Sequence, residues 1–222
     1  MHIKNVHCIV GSEDEFIANT YIVVFENDDC LVVDPSPKNK SVLNFIEKNS
    51  LKLVGVLITH GHCDHIQGLP VILGKYPNVG VYVGRYDEQL LRDKKLNLSS
   101  LYEDKSKHLE IKGPLKSVVE GPISISNHRI QVFETPFHTI GGVFYYFADD
   151  GIVFTGDTLM KNCIGRFDLP CASPKDVRST LNKIVGMIPD NTKIYAGHGE
   201  ITTMEEEKKN NPFLLRFVGN KK

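Results

Sequence analysis

Thr59-His60-Gly61-His62-Cys63-Asp64-His65 limits the possible folds of this chain more than any other segment, because it sets three imidazoles and a carboxylate within six consecutive positions. It closes a nearly continuous apolar run, 53–59, which has the pattern of a strand buried on both faces. Charged and half-charged groups crowded at the end of a core strand cost desolvation energy unless they are partnered, and a metal ion is the most economical partner. Gly61 is expected to let the chain turn tightly, so that His60 and His62 converge on one ion while Asp64 and His65 face a second. Four side chains cannot close two coordination shells, so further ligands must arrive from elsewhere.

Three candidates recur in similar surroundings. His138 stands in Thr135-Pro136-Phe137-His138-Thr139-Ile140-Gly141-Gly142, Asp157 in Thr155-Gly156-Asp157-Thr158, and His198 in Gly197-His198-Gly199. Each follows a strand candidate or a turn, with small or rigid neighbours that permit close backbone approach. Strands are expected at 18–25, 30–34, 53–59, 79–83, 122–126, 130–134, 143–148, 152–155 and 193–196, with the first two forming a hairpin. Helices are expected after Ser41, over 68–76 and 86–92, and after Ser173-Pro174-Lys175-Asp176. Val177, Leu181, Ile184 and Ile188 form the inward stripe of that last helix. The polar stretch 93–114 reads as an insertion or flexible loop within one domain spanning 1–222.

Composition excludes several classes of partner. An apolar fraction of 41% supports an ordinary core, and a net charge of -1 gives no electrostatic footprint for nucleic acid or an anionic membrane. No apolar run approaches the roughly 20 residues of a membrane helix, and the first ten residues lack the pattern of a secretory signal. The 5 cysteines are odd in number and widely spaced with no CxxC pair, which fits a reducing, cytoplasmic setting. His2, His7, His108 and His128 are assigned to surface or packing, and Cys63 to filling space within the motif.

In order and in full, the pattern HxHxDH, lone His, Asp, last His resembles the metallo-β-lactamase superfamily. Asn19-Thr20-Tyr21 and Val33-Asp34-Pro35 extend that resemblance over nearly the whole chain. His65 after Asp64, Gly165-Arg166-Phe167-Asp168-Leu169-Pro170, and the ending His198-Gly199-Glu200 through Asn211-Pro212-Phe213-Leu214 are similar to short, single-domain hydrolases of the glyoxalase II type. Phe167, Leu169 and Ile140 depart from that pattern in ways that bear on loop packing and substrate rather than on metal. The resemblance implies an α/β fold, a four-layer αβ/βα sandwich of two mixed sheets flanked by helices. It also implies that His60, His62 and His138 hold one divalent cation, that Asp64, His65 and His198 hold a second, and that Asp157 bridges them. Zinc is the first expectation, and iron or manganese suits the same donors.

The implied reaction is hydrolysis of a small-molecule thioester by a hydroxide shared between the cations, with Asp64 and Asp157 as the catalytic carboxylates. Arg166 and Asp168 have two readings, as substrate contacts or as an internal salt bridge that holds a loop. A mononuclear iron persulfide dioxygenase is the alternative within the superfamily, and lactonase or phosphodiesterase chemistry is a further one. The resemblance reaches the reaction and not the thiol carrier, and the oligomeric state is open.

Overall fold

Neighbouring residues of the apolar segments point into different layers, and this period of two builds the architecture. The computed structural model describes residues 2–11, 17–37 and 39–218. One sheet has the spatial order β1 (Ile3–Ile9), β2 (Thr20–Phe25), β3 (Asp29–Val33), β4 (Lys52–Ile58), β5 (Val81–Gly84), β6 (Lys116–Val118). The other has β7 (Gly121–Ile125), β8 (His128–Glu134), β9 (Val143–Phe147), β10 (Ile152–Gly156), β11 (Lys193–Ala196), β12 (Thr202–Thr203). Tyr21, Val23 and Phe25 of β2 face the second sheet and pack with Ile130, Val132, Tyr145 and Phe154. Ile22 and Val24 face outward, onto a layer that holds Val42 and Ile46 of α1 (Asn39–Lys48), Ile66 of α2 (Cys63–Ile66) and Leu69 and Ile72 of α3 (Leu69–Lys75). Phe144, Tyr146 and Val153 do the same on the far side, against α5 (Val177–Met187), α6 (Met204–Asn210) and α7 (Pro212–Phe217). The result is the expected four-layer sandwich of two mixed sheets with helices outside.

Strand direction places the candidate ligands. In the first sheet β3, β4, β5 and β6 run parallel. In the second, β8 and β10 are both antiparallel to β9, and β11 is parallel to β10. The turns that follow β8, β10 and β11, which carry His138, Asp157 and His198, therefore leave the sheet at one edge. Val143 donates its N–H to the carbonyl of Thr59 at 2.8 Å, so the same edge meets the end of β4.

Local details differ from expectation at several places. Ser41 lies inside the first turn of α1 rather than at its cap, because the helix begins at Asn39. Ser173 does not cap a backbone N–H; its hydroxyl donates to Asp176 at 2.5 Å, and a 3-10 turn, Pro174–Asp176, precedes α5. Val177, Leu181, Ile184 and Ile188 are nevertheless buried together as the stripe requires.

Residues 93–114 do not form a free loop. Asn97 is fully buried and donates to the carbonyls of Leu90 and Leu109, while Ser99 accepts from Leu109, so these two polar residues pin the stretch by internal hydrogen bonds, and its charged residues face solvent. Gly61 has no left-handed φ; it is small because an added Cβ would lie 2.5 Å from Leu90 Cβ. β1, β6 and β12 were not anticipated, since short or half-exposed strands carry little hydrophobic pattern. No helix among the described residues is long and apolar enough to cross a membrane.

Candidate metal centre

β4 ends at Ile58, and the next turn delivers His60 and His62, which are 3% and 4% exposed. Three nitrogens converge: His60 Nε2 lies 3.1 Å from His62 Nδ1, which lies 3.0 Å from His138 Nε2. The outer nitrogens show which tautomers these rings adopt. His138 Nδ1 donates to the carbonyl of Arg166 at 2.7 Å, an oxygen that can only accept. Thr59 gives its hydroxyl proton to Asp34 at 2.6 Å, so its oxygen accepts from His60 Nδ1 at 3.3 Å. His60 and His138 therefore turn bare lone pairs inward, and the one proton His62 Nδ1 can offer satisfies only one of them. Three nitrogens gathered in this way fit a cation that accepts all three lone pairs.

The second group forms on α2 and the β11 turn. His198 Nε2 lies 3.1 Å from Asp64 Oδ2, and His65 Nε2 lies 3.6 Å from the same oxygen. Asp157, at the end of β10, spans both groups: Oδ1 is 3.2 Å from His65 Nε2, while Oδ2 is 3.6 Å from both His138 and His198. His65 Nε2 and Asp157 Oδ1 face each other as a buried ion pair without an aligned hydrogen bond, so both atoms retain bonding capacity that a cation could take up. Ligand atoms of His60, His62 and His138, and likewise of Asp64, His65 and His198, lie within 4.8 Å of one another. A third such group, His60, His65 and Asp157, connects them. The donor set suits zinc, iron or manganese.

Charge is arranged to match. Burial, then the neighbouring His138, pushes His62 down to about 3, and burial with the surrounding imidazoles holds His60 well below its usual range. Both rings are neutral at ordinary pH, the form in which an imidazole can coordinate a cation. Burial opposes ionisation of Asp157, yet the adjacent His65 overrides it and keeps the carboxyl well below the usual range. Burial also opposes a charge on His65, but Asp64, Asp157 and Asp34 together hold its pKa well above that of a free imidazole. In the metal-free protein this extra proton supplies positive charge that a cation would otherwise bring.

All seven expected ligands meet at this edge, and His2, His7, His108 and His128 lie elsewhere. His7 stacks on Phe45 at 4.0 Å, and buried His128 pairs with Asp29 at 3.0 Å. Cys63 is a protonated filler, pushed up to about 11 by burial and by the nearby Asp64. Arg166 reaches the centre through its carbonyl alone, because its side chain pairs with Asp168 at 3.0 and 3.1 Å on the surface.

Sequence reasoning missed the groups that hold the ligands. Asp34 accepts from Thr59 N at 2.8 Å and from His65 Nδ1 at 3.0 Å, fixing the ring of a candidate ligand. Its signal was available, since it ends an apolar strand just as His60 does. Asn211 donates to the carbonyl of Cys163, and Glu207 accepts from Asn162 N and from Asn211, which bolts the Arg166 segment to the C-terminal helices. Asn19 and Tyr21 tie the His198 turn to the first sheet through the carbonyls of Gly199 and Ala196.

A two-sheet αβ/βα sandwich with histidine and aspartate ligands collected at one sheet edge defines a class of metal-binding α/β proteins. A family model described as the metallo-beta-lactamase superfamily matches residues 14–199, and the chain belongs to that superfamily. A relative from Streptococcus pyogenes named a probable metallo-hydrolase is 32% identical over an alignment of 218 residues that covers 95% of this chain and 89% of the relative. A hydroxyacylglutathione hydrolase from Photobacterium profundum is also 32% identical, over 96% of this chain and 74% of its own length. Among solved structures, the B3 metallo-beta-lactamase BLEG-1 is similar at a TM-score of 0.85 and 27% identity, covering 95% of this chain and 99% of its own. TTHA1623 in a di-iron-bound form is similar at 0.77 and 26%, covering 88% and 94%.

Proposed function

We propose that this protein is a dinuclear metal-dependent hydrolase that cleaves a small-molecule thioester in the manner of glyoxalase II. The observation that carries the reading is the second ligand group: Asp64, His65 and His198 gather beside the three-histidine group, with Asp157 between them. A one-metal dioxygenase centre of two histidines and one aspartate leaves those side chains without a task. The hydroxyacylglutathione hydrolase relative supports the thioester assignment.

Cations held at this centre supply Lewis-acid activation, lowering the pKa of water from 15.7 toward about 7 and polarising a carbonyl oxygen. The chain's own part is orientation and charge. His198, Asp64 and Asp157 are 20%, 17% and 13% exposed, so solvent and substrate reach the centre on their side. Asp64 and Asp157 are the carboxylates there, ionised and able to accept a hydrogen bond from the attacking water, which aims its lone pair at the acyl carbon. Asp34 and the Arg166 carbonyl keep His65 and His138 from swinging as charge develops. A thiolate departs without being protonated first, so the reaction asks for no separate general acid. Zinc is the first choice of metal; the di-iron form of TTHA1623 keeps iron in the test. Five free cysteines fit a reducing compartment such as the cytoplasm.

The likeness to BLEG-1 favours a second reading, hydrolysis of a β-lactam amide at the same centre. Elemental analysis of the purified protein, then assays with thioester, persulfide and β-lactam substrates on samples loaded with zinc, iron or manganese, separates these readings. Two cations per chain with thioester turnover is the expected result. One cation with oxygen uptake on a persulfide would overturn it.

A further inference from the structure

Asp87 ends the 3-10 turn Arg85–Asp87, ahead of α4 (Glu88–Arg92), and is 0% exposed. Nothing in the surrounding Gly84-Arg85-Tyr86-Asp87-Glu88 marks it out from an ordinary helix start. Both of its oxygens are nonetheless committed. Oδ2 accepts from the backbone N–H of Gly61 at 2.9 Å and from the Thr139 hydroxyl at 2.7 Å, and Oδ1 accepts from the backbone N–H of Gly141 at 2.8 Å.

Those partners are not scattered. Gly61 is the residue between His60 and His62, and Thr139 follows His138 directly. One buried carboxylate thus grips the turn that carries two histidines from the first sheet and the turn that carries the third from the second sheet. The backbones there are already in contact: a Cβ on Gly84 would lie 2.0 Å from the Gly141 carbonyl oxygen, and one on Gly141 would lie 2.2 Å from Asp87 N. With no slack between the Asp87 segment and the Gly141 turn, the His138 turn is fixed against that segment, and the Asp87 carboxylate is what joins it to the turn of His60 and His62. A charge placed in a core solely for stability is a poor bargain against apolar packing, which argues that this one is kept for geometry.

We propose that Asp87 is a positioning residue for the three-histidine cation site, setting His60 and His62 against His138 so that their inner nitrogens converge. The inference rests on the metal-centre reading above. Asp87→Asn keeps the volume but exchanges one acceptor oxygen for an NH2 group, so either Gly61 N or Gly141 N loses its acceptor. Thr139→Val removes one donor of the three and leaves both backbone bonds.

The test loads metal-free, full-length wild-type and variant proteins with zinc at chelator-buffered concentrations and counts bound ions. Cobalt-loaded samples add a visible spectrum, and far-UV circular dichroism reports the fold. Wild type should bind two ions. Asp87→Asn should bind one ion about 10- to 100-fold more weakly while keeping the other, with a changed cobalt spectrum and an unchanged dichroism spectrum. Thr139→Val should show a smaller loss at the same site, and it decides the matter if Asp87→Asn does not fold.

Two ions at wild-type affinity with an unchanged cobalt spectrum in the variants would overturn the role of Asp87 alone. Equal loss of both ions in step with loss of fold would reduce Asp87 to a structural residue. A folded wild type that takes up no ion would overturn the metal centre and this inference together.

Discussion

Asp157 offers one oxygen to His65 and the other to His138 and His198, so its carboxylate lies between the two candidate ligand groups. Asp157→Ala should abolish hydrolysis and lower the bound-metal count of the folded protein; elemental analysis with a thioester assay checks it, and full activity would end the dinuclear reading. His2→Ala, by contrast, removes an exposed contact to Asp150 and should leave metal content and activity unchanged. Gly197 gives a subtler test. An added Cβ would lie 2.2 Å from Asp157 Oδ1 and 2.5 Å from His65 Cε1, so Gly197→Ala should displace both ligands. The expected outcome is a folded protein by circular dichroism with the metal deficit of Asp157→Ala; a full complement of metal would show that the turn can yield.

Elements carry stability more than chemistry. Leu181 of α5 is fully buried beneath the second sheet, so Leu181→Ala should cost about 2–5 kcal/mol in denaturant unfolding while the folded fraction keeps its metal. At the start of α6, Thr203 accepts from Glu206 N and Glu206 reaches back to Thr203 N, a capping box. Thr203→Ala should cost about 1 kcal/mol by the same measurement. The strands with both faces buried were legible in sequence, because an apolar run of that length has few other uses. Edge strands β1 and β12 were not legible, since one face or one side of each is open and the pattern is diluted. Asn97 was not legible for a related reason: within the polar stretch 93–114 it looks solvent-directed until the carbonyls it satisfies are seen.

At the scale of the whole molecule, the centre couples protonation, metal and folding. His62 is pushed down to about 3 in the folded metal-free protein against an ordinary value of 6.5. Between those values the unfolded chain binds more protons, so His62 should make the metal-free protein less stable as pH falls from about 6.5 toward 3. His65 has the opposite sign: its pKa is raised, so its contribution is complete below about 6.5 and is lost as pH rises through its folded value. Metal uptake must displace the His65 proton, so loading should release protons and weaken as pH falls. Calorimetric titration in buffers of different ionisation enthalpy measures this, and loading without proton release would remove His65 from the ligands.

The amino-acid sequence by itself determined the candidate ligands, their order and the apolar strands that end in them, because desolvation makes a histidine cluster beside a core costly without a partner. Only the tertiary structure decided how those ligands are held. Asp34, Asp87, the Arg166 carbonyl and the Asn211 bolt act across turns far apart in the chain, and a hydrogen bond between distant turns leaves no periodic mark in a sequence.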